Sequence, residues 1–120
     1  MERKAWLENI GHIIDSMDPE GFANLITENG SFRFGNMPPV LGRPAIAETV
    51  RNFWSMIKGS QHQIVNYWED ADSIVWQGSV LYTRKDDRKV PVNFCNIFYM
   101  DGDLIKDYLI YIDNGPLFAE

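Results

Sequence analysis

The chain has very little cysteine and a deficit of basic charge. Cys95 is the only cysteine among 120 residues, so no intrachain disulfide can form and a cytoplasmic location is expected. Seventeen acidic against eleven basic residues give a net charge of -6, which disfavours binding to a phosphate backbone. Neither a signal-peptide pattern nor an apolar run of membrane-spanning length is present. We therefore expect no nucleic-acid partner and no membrane partner.

Several chemical motifs are also missing from the sequence. We find no group of histidines and cysteines with metal-ligand spacing, no pair of catalytic carboxylates and no glycine-rich phosphate loop. The sequence therefore predicts no metal and no other cofactor. Hydrophobic residues make up 45% of the chain and aromatic residues 13%, which suits one folded domain over residues 1–120 with a cavity lined by large side chains.

Apolar residues at helical spacing predict three helices in the first half of the chain. The first covers about residues 3–16. Asp18 followed by Pro19 predicts the start of a short second helix, which Gly30 ends. Residues 31–34 are predicted to form a brief strand, and the third helix is predicted to begin after Gly42 and to end at Gly59.

The second half of the chain has the alternating pattern of β-strands. Four strands are predicted over residues 61–69, 74–84, 89–100 and 104–112, with turns at 70–72, 86–87 and 101–102. Helices therefore come first and a meander of long strands follows. This segregation predicts an α+β domain with the helices on one face of an antiparallel sheet.

The order of elements resembles the nuclear transport factor 2-like superfamily, and within it the SnoaL-like domains. The resemblance rests on Gly42-Arg43-Pro44-Ala45-Ile46 at the start of helix three, on the Asp101-Gly102 turn, and on Tyr111-Ile112-Asp113 at the end of the last strand. It implies three N-terminal helices packed on a strongly curved antiparallel sheet that forms a cone with an internal pocket. It also implies a small hydrophobic ligand and a homodimer formed through the sheet.

The superfamily contains isomerases, cyclases, an epoxide hydrolase and a dehydratase, together with members that are not catalytic. Placed by the resemblance, Ile10 and Phe34 stand where ketosteroid isomerase has its oxyanion-hole tyrosine and its general-base aspartate. By the same resemblance, Ser79, Leu81 and Ile110 correspond to the catalytic triad of limonene epoxide hydrolase. A shift of one residue would put Leu109 in the place of Ile110. The polyketide cyclases also need an acid near this last position. The catalytic acids of these relatives are therefore replaced.

Two side chains are candidates for catalysis. His62 is the only histidine near the predicted sheet, and its ordinary pKa range suits proton transfer near neutral pH, although a surface position is the simpler interpretation. Asp113 ends the last strand and is either a base at the rim of the pocket or a plain turn carboxylate. His12 lies off the apolar stripe of the first helix and is expected to face solvent.

Six further residues are candidates for substrate binding: Phe34, Asn36, Ser79, Asn96, Tyr108 and Ile110. Asn36 lies in a stretch, Phe34 to Pro38, that resembles the pocket of limonene epoxide hydrolase, although a turn asparagine is equally compatible. Asn96 shares a strand face with Phe94, whereas Asn93 lies on the other face. Which face of strand 74–84 lines the pocket stays open. The resemblance places Ser79 in the cavity, and the apolar face with Trp76 would then lie outside and suit a dimer contact.

Two functions are compatible with this pattern. The first is a SnoaL-like isomerase, cyclase or lyase that acts on a hydrophobic substrate through neutral hydrogen-bond donors and a proton carried by His62 or Asp113. The second is a noncatalytic ligand-binding or dimerisation module, which the replacement of the family's acids favours. The pocket residues lean slightly toward the enzyme.

Overall fold

The computed structural model describes residues 2–119, which form four helices and six strands. The helices are α1 (Arg3–Asp15), α2 (Pro19–Ala23), α3 (Arg43–Trp54) and α4 (Gly115–Phe118). The strands are β1 (Ile26–Phe34), β2 (Val40–Leu41), β3 (Gly59–Glu69), β4 (Ser73–Thr83), β5 (Lys89–Asp101) and β6 (Leu104–Ile112). The predicted α+β class is confirmed.

The helices follow the predicted order, with corrected ends. The Asp18 carboxylate accepts a hydrogen bond of 3.0 Å from the backbone N–H of Gly21, as expected of an N-cap. Helix α2 is nevertheless only five residues long. Helix α3 ends at Trp54, so the prediction that Gly59 caps it was wrong, and Gly59 instead begins β3.

Strand β1 begins at Ile26, five residues earlier than predicted. Ile26 pairs with Ile105 of β6, and the two β-branched side chains suit a strand better than the last turn of a helix. Gly30 lies within β1 and does not end a helix. A Cβ at this position would lie 2.5 Å from Cγ2 of Ile26 and 2.7 Å from the carbonyl oxygen of Lys106, so the strand approaches its neighbour too closely for any other residue.

All six strands form one open sheet in the order β2-β1-β6-β5-β4-β3. Every pairing is antiparallel except that of β1 with β6, which is parallel. The register shifts within β1, within β3 between Ile64 and Asn66, and within β5 between Tyr99 and Met100. Such bulges increase local twist and bend the strands, so the sheet curves around the helices.

The inner face of the sheet carries the hydrophobic core. Along β4 the inward side chains are Trp76, Val80 and Tyr82, each at most 3% exposed, whereas Ser79 is on the outer face. Helix α1 packs on β3, and α3 packs on α2 and β1. In the described part of the chain, no helix has both the length and the apolar character needed to cross a membrane.

Candidate functional site

A cavity of about 380 Å³ lies between the helices and the inner face of the sheet. Its walls are mostly aromatic and aliphatic, with Phe22, Phe32, Phe53 and Phe94 among them. Met56 lines the cavity and is 53% exposed, so it marks the mouth. Among the described residues that line the cavity there is no lysine, arginine, aspartate or glutamate. The cavity is therefore suited to a neutral and largely apolar ligand.

One polar wall of the cavity is formed by Asn96 of β5 and Tyr108 of β6. The two residues are diagonal neighbours on the inner face, because Asn96 pairs with Ile110 and Phe98 pairs with Tyr108. Asn96 is 3% exposed and Tyr108 is fully buried. The Asn96 Oδ1 atom and the Tyr108 hydroxyl have no hydrogen-bond partner within residues 2–119. Buried polar atoms normally have partners, so this wall has unused hydrogen-bonding capacity.

The second polar wall is formed by His62 of β3, which is held by Asp15 of α1. The His62 Nδ1 atom lies 2.5 Å from Asp15 Oδ1, and the backbone N–H of His62 donates to Asp15 Oδ2 at 2.8 Å. The hydroxyl of Ser60 donates to Asp15 Oδ1 at 2.8 Å. Asp15 thus accepts three hydrogen bonds, and they fix both the carboxylate and the imidazole ring.

The hydrogen bonds to Asp15 determine its charge. Partial burial acts to raise the pKa of the Asp15 carboxyl, but hydrogen bonds from His62 and Ser60 and the charge of His62 outweigh burial and hold this pKa below its ordinary value. Asp15 is therefore ionised at neutral pH and can only accept. The Nδ1 atom of His62 must carry a proton, and Nε2 is the nitrogen without a protein partner within residues 2–119.

Two tyrosines near the cavity keep their protons at neutral pH. Burial raises the pKa of Tyr82 to about 12, and a nearby negative charge on Asp15 adds to this effect. Burial also raises the pKa of Tyr108 well above its ordinary value, with a further contribution from Tyr82. Both phenols line the cavity as neutral groups that can donate a hydrogen bond.

The structure places five of the eight predicted site residues in the cavity wall: Phe34, His62, Asn96, Tyr108 and Ile110. The other three lie outside it. Asn36 is exposed in the turn after β1, and Ser79 faces away because the inner face of β4 is the one that carries Trp76. Asp113 is exposed, and its carboxylate accepts a hydrogen bond of 2.9 Å from the backbone N–H of Gly115, as a turn residue does.

Sequence reasoning missed three residues of the site. Asp15 is hydrogen-bonded to His62, Ser60 is hydrogen-bonded to Asp15, and Tyr82 lines the cavity. Tyr82 belongs to the apolar face of β4, which the structure shows to be the inner face. Asp15 is 47 residues from His62 in the chain, and no local pattern indicates that contact. No group of three or more potential metal ligands occurs within the described residues.

A second space, the α1–β3 groove, lies on the other side of His62. It has a volume of about 510 Å³ and is lined by Lys4, Glu8, Gly11, His12, Asp15, His62 and Trp76, among others. Unlike the cavity, this groove carries charged side chains. His62 lines both spaces, Ser60 lines only the cavity, and Asp15 lines only the groove.

The fold and the cavity define a small α+β protein with a curved sheet around an apolar interior. Residues 7–108 match the model of the SnoaL-like domain. The chain therefore belongs to the SnoaL-like domain family, as its resemblance predicted. No curated protein matches it in sequence.

Solved structures share the fold at low sequence identity. A Catenulispora acidiphila protein with a ketosteroid isomerase-like fold, in complex with trimethylamine, has a TM-score of 0.81 and 14% identity over 88% of this chain and 83% of its own. A nuclear transport factor 2-like protein from Anabaena variabilis has a TM-score of 0.80 and 16% identity over 92% and 85%. An epoxide hydrolase from M. tuberculosis, similar to limonene epoxide hydrolase, has a TM-score of 0.75 and 14% identity over 93% and 83%.

Proposed function

We propose that this protein is an acid–base enzyme that moves a proton on a small, neutral and largely apolar substrate, in an isomerisation, cyclisation or dehydration. The observation that carries the proposal is that His62, in the wall of the cavity, is held by Asp15 behind it. A histidine that is oriented by a carboxylate through one ring nitrogen can accept or donate a proton at the other. His62 is the catalytic residue in this proposal, and Asp15 positions it.

The Asn96–Tyr108 wall supports the binding half of the proposal. A ligand that bears a carbonyl or hydroxyl group would give Tyr108 an acceptor, and a hydroxyl group would also give Asn96 Oδ1 a donor. A neutral phenol that donates to a substrate oxygen also stabilises negative charge that develops there when a neighbouring carbon loses its proton. Phe34 and Ile110 contribute apolar surface to the same site.

A general test uses the ring opening of 5-nitrobenzisoxazole, a neutral aromatic compound that releases a coloured phenolate when a base removes its carbon-bound proton. The wild-type protein should accelerate this reaction above the buffer rate. His62→Ala should lower the protein-dependent rate by roughly 100-fold, because general-base catalysis contributes factors of this order. His12→Ala is the matched control, since His12 is exposed and should leave the rate unchanged.

Two results would contradict the enzyme proposal. One is a wild-type rate equal to that of buffer while the compound binds, which would support the noncatalytic ligand-binding module instead. The other is an equal loss of rate in the His62 and His12 variants. The replacement of the relatives' acids at Phe34 and Ile110 is the feature that favours the noncatalytic alternative.

A homodimer through the outer face of the sheet is a second part of the proposal. Val75, Ile97 and Leu109 form a row across β4, β5 and β6 on that face, since Val75 pairs with Ile97 and Ile97 pairs with Leu109. Tyr99 and Tyr111, 45% and 48% exposed, extend this apolar surface. Sedimentation should give a dimer for the wild type and a monomer for Ile97→Glu.

The single cysteine supports a cytoplasmic location.

A further inference from the structure

The His62–Asp15 pair lies between the apolar cavity and the α1–β3 groove, which carries charged side chains. His62 lines both, but Asp15 lines only the α1–β3 groove. The Asp15 side chain is 25% exposed, against 10% for that of His62. Because Asp15 is absent from the cavity wall, its exposed part faces the groove. The carboxylate is therefore the solvent-side end of the pair, and the imidazole is the cavity-side end.

Gly11 of α1 shapes the groove beside the pair. An added Cβ at this position would lie 3.6 Å from His62 Cβ and 3.6 Å from the Trp76 ring, which is ordinary van der Waals contact. Alanine would therefore fit, whereas a longer side chain would fill the groove next to His62.

The groove and the cavity differ in their capacity to hold water. Lys4, Glu8 and His12 are exposed and line the groove, so a water molecule there finds polar partners and open solvent. The cavity is mostly apolar, and a bound apolar ligand would exclude water from it. An exchange of protons with solvent through the cavity would then stop whenever the site is occupied.

We propose that the α1–β3 groove is the proton-exchange route of the His62–Asp15 pair, open because Gly11 has no side chain long enough to fill it. After Nε2 has taken a proton from a ligand, the imidazolium passes its Nδ1 proton to the Asp15 carboxylate, which gives it to a water molecule in the groove, and His62 is left neutral with its proton on Nε2. A proton that enters from the groove by the same path restores the imidazolium, and release of the Nε2 proton to a ligand in the cavity then regenerates the starting tautomer with the proton on Nδ1. This inference rests on the proposed function, because it assigns a way for the catalytic pair to equilibrate with solvent while the cavity is closed.

The test measures the exchange of the His62 ring proton with water by nuclear magnetic resonance on protein labelled at histidine. The chain has two histidines, so the signals are few. Gly11→Leu and His12→Trp, which block the groove from inside and at its rim, should each slow exchange by roughly tenfold. Gly11→Ala and Met56→Trp, which narrows only the cavity mouth, should leave the rate unchanged.

Either of two results would overturn the inference. One is an unchanged rate in the groove variants, and the other is a slower rate in Met56→Trp than in His12→Trp. His12 and Met56 are both exposed, so these two tryptophan variants keep the test valid if Gly11→Leu does not fold. The measurement needs no substrate and no turnover. A protein that fails to open 5-nitrobenzisoxazole can therefore still show exchange through the groove, and the two failures are distinct.

Discussion

The two polar walls of the cavity differ in how completely their hydrogen bonds are made. On the Asp15–His62 wall the carboxylate accepts three hydrogen bonds, and the imidazole is fixed through Nδ1. On the Asn96–Tyr108 wall a carbonyl oxygen and a hydroxyl are buried without a partner in the part of the chain that the structure describes. The first wall is organised without a ligand, which the proposed proton transfer requires. In the proposed function, a ligand supplies the partners that the second wall lacks.

The largest expected effect tests the organised wall. In Asp15→Asn the side-chain amide can donate to Nδ1, which would favour the tautomer with the proton on Nε2 and remove the base. We expect the rate of 5-nitrobenzisoxazole opening to fall by roughly 10- to 100-fold. Glu8→Gln is the control, because Glu8 lines the groove without bonding His62. Equal rates in wild type and Asp15→Asn would show that the carboxylate does not position the base.

The next effect concerns binding at the incomplete wall. Asn96→Leu keeps the side-chain volume but removes the unpaired oxygen, so a ligand hydroxyl loses its acceptor. We expect the dissociation constant for 2-naphthol to rise about fivefold, measured by calorimetry. Asn93→Leu on the outer face of β5 is the matched control and should leave binding unchanged. A loss of affinity in both variants would place the ligand elsewhere.

A substitution at the same wall should increase stability, whereas Asn96→Leu weakens binding. Tyr108→Phe removes a buried hydroxyl that has no partner among residues 2–119, and we expect the free energy of unfolding to increase by about 1 kcal/mol. Urea unfolding measures the change. Tyr111→Phe, on the outer face of the same strand, should change stability far less because its hydroxyl is exposed and bonds Arg33 at the surface. A destabilised Tyr108→Phe would mean that the hydroxyl has a partner after all.

The smallest expected effect is the change with pH of the contribution that Asp15 makes to the free energy of unfolding. The pKa of Asp15 in the folded state lies below its ordinary value of 3.8. Its contribution to stability is therefore complete above about pH 4 and is lost as the pH falls through the lower, folded-state pKa. The difference in unfolding free energy between wild type and Asp15→Asn should shrink over that acidic range. A difference that is constant with pH would exclude this linkage.

The sequence predicts the parts of the site that depend on local patterns. The alternation of β5 separates Asn96 from Asn93, and the alternation of β4 separates the face of Trp76 from that of Ser79 without indicating which of the two faces inward. Ser79 was placed in the cavity by the resemblance to distant relatives, whereas in the structure the opposite face of β4, with Trp76, is the inner one. The early start of β1 and the bulge in β3 depend on pairing with other strands, which short-range propensity does not encode.

The contact between Asp15 and His62 marks the limit of sequence reasoning. His62 was a candidate because of its chemistry, but its role depends on a carboxylate from α1 that reaches β3 only after the helix packs on the sheet. No sequence motif surrounds Asp15, which is the last residue of the amphipathic helix α1. Only the tertiary structure distinguishes it from the other acidic residues.

The most direct test of the account is a titration of histidine-labelled protein with 2-naphthol, followed by nuclear magnetic resonance. If the cavity is the ligand site and His62 is its proton-transferring wall, the ring signals of His62 will shift and those of His12 will not. The anion 2-naphthoate should produce no shift, because no lysine or arginine among the described residues lines the cavity and Asp15 already pairs with His62. Unchanged His62 signals with bound 2-naphthol would contradict the account.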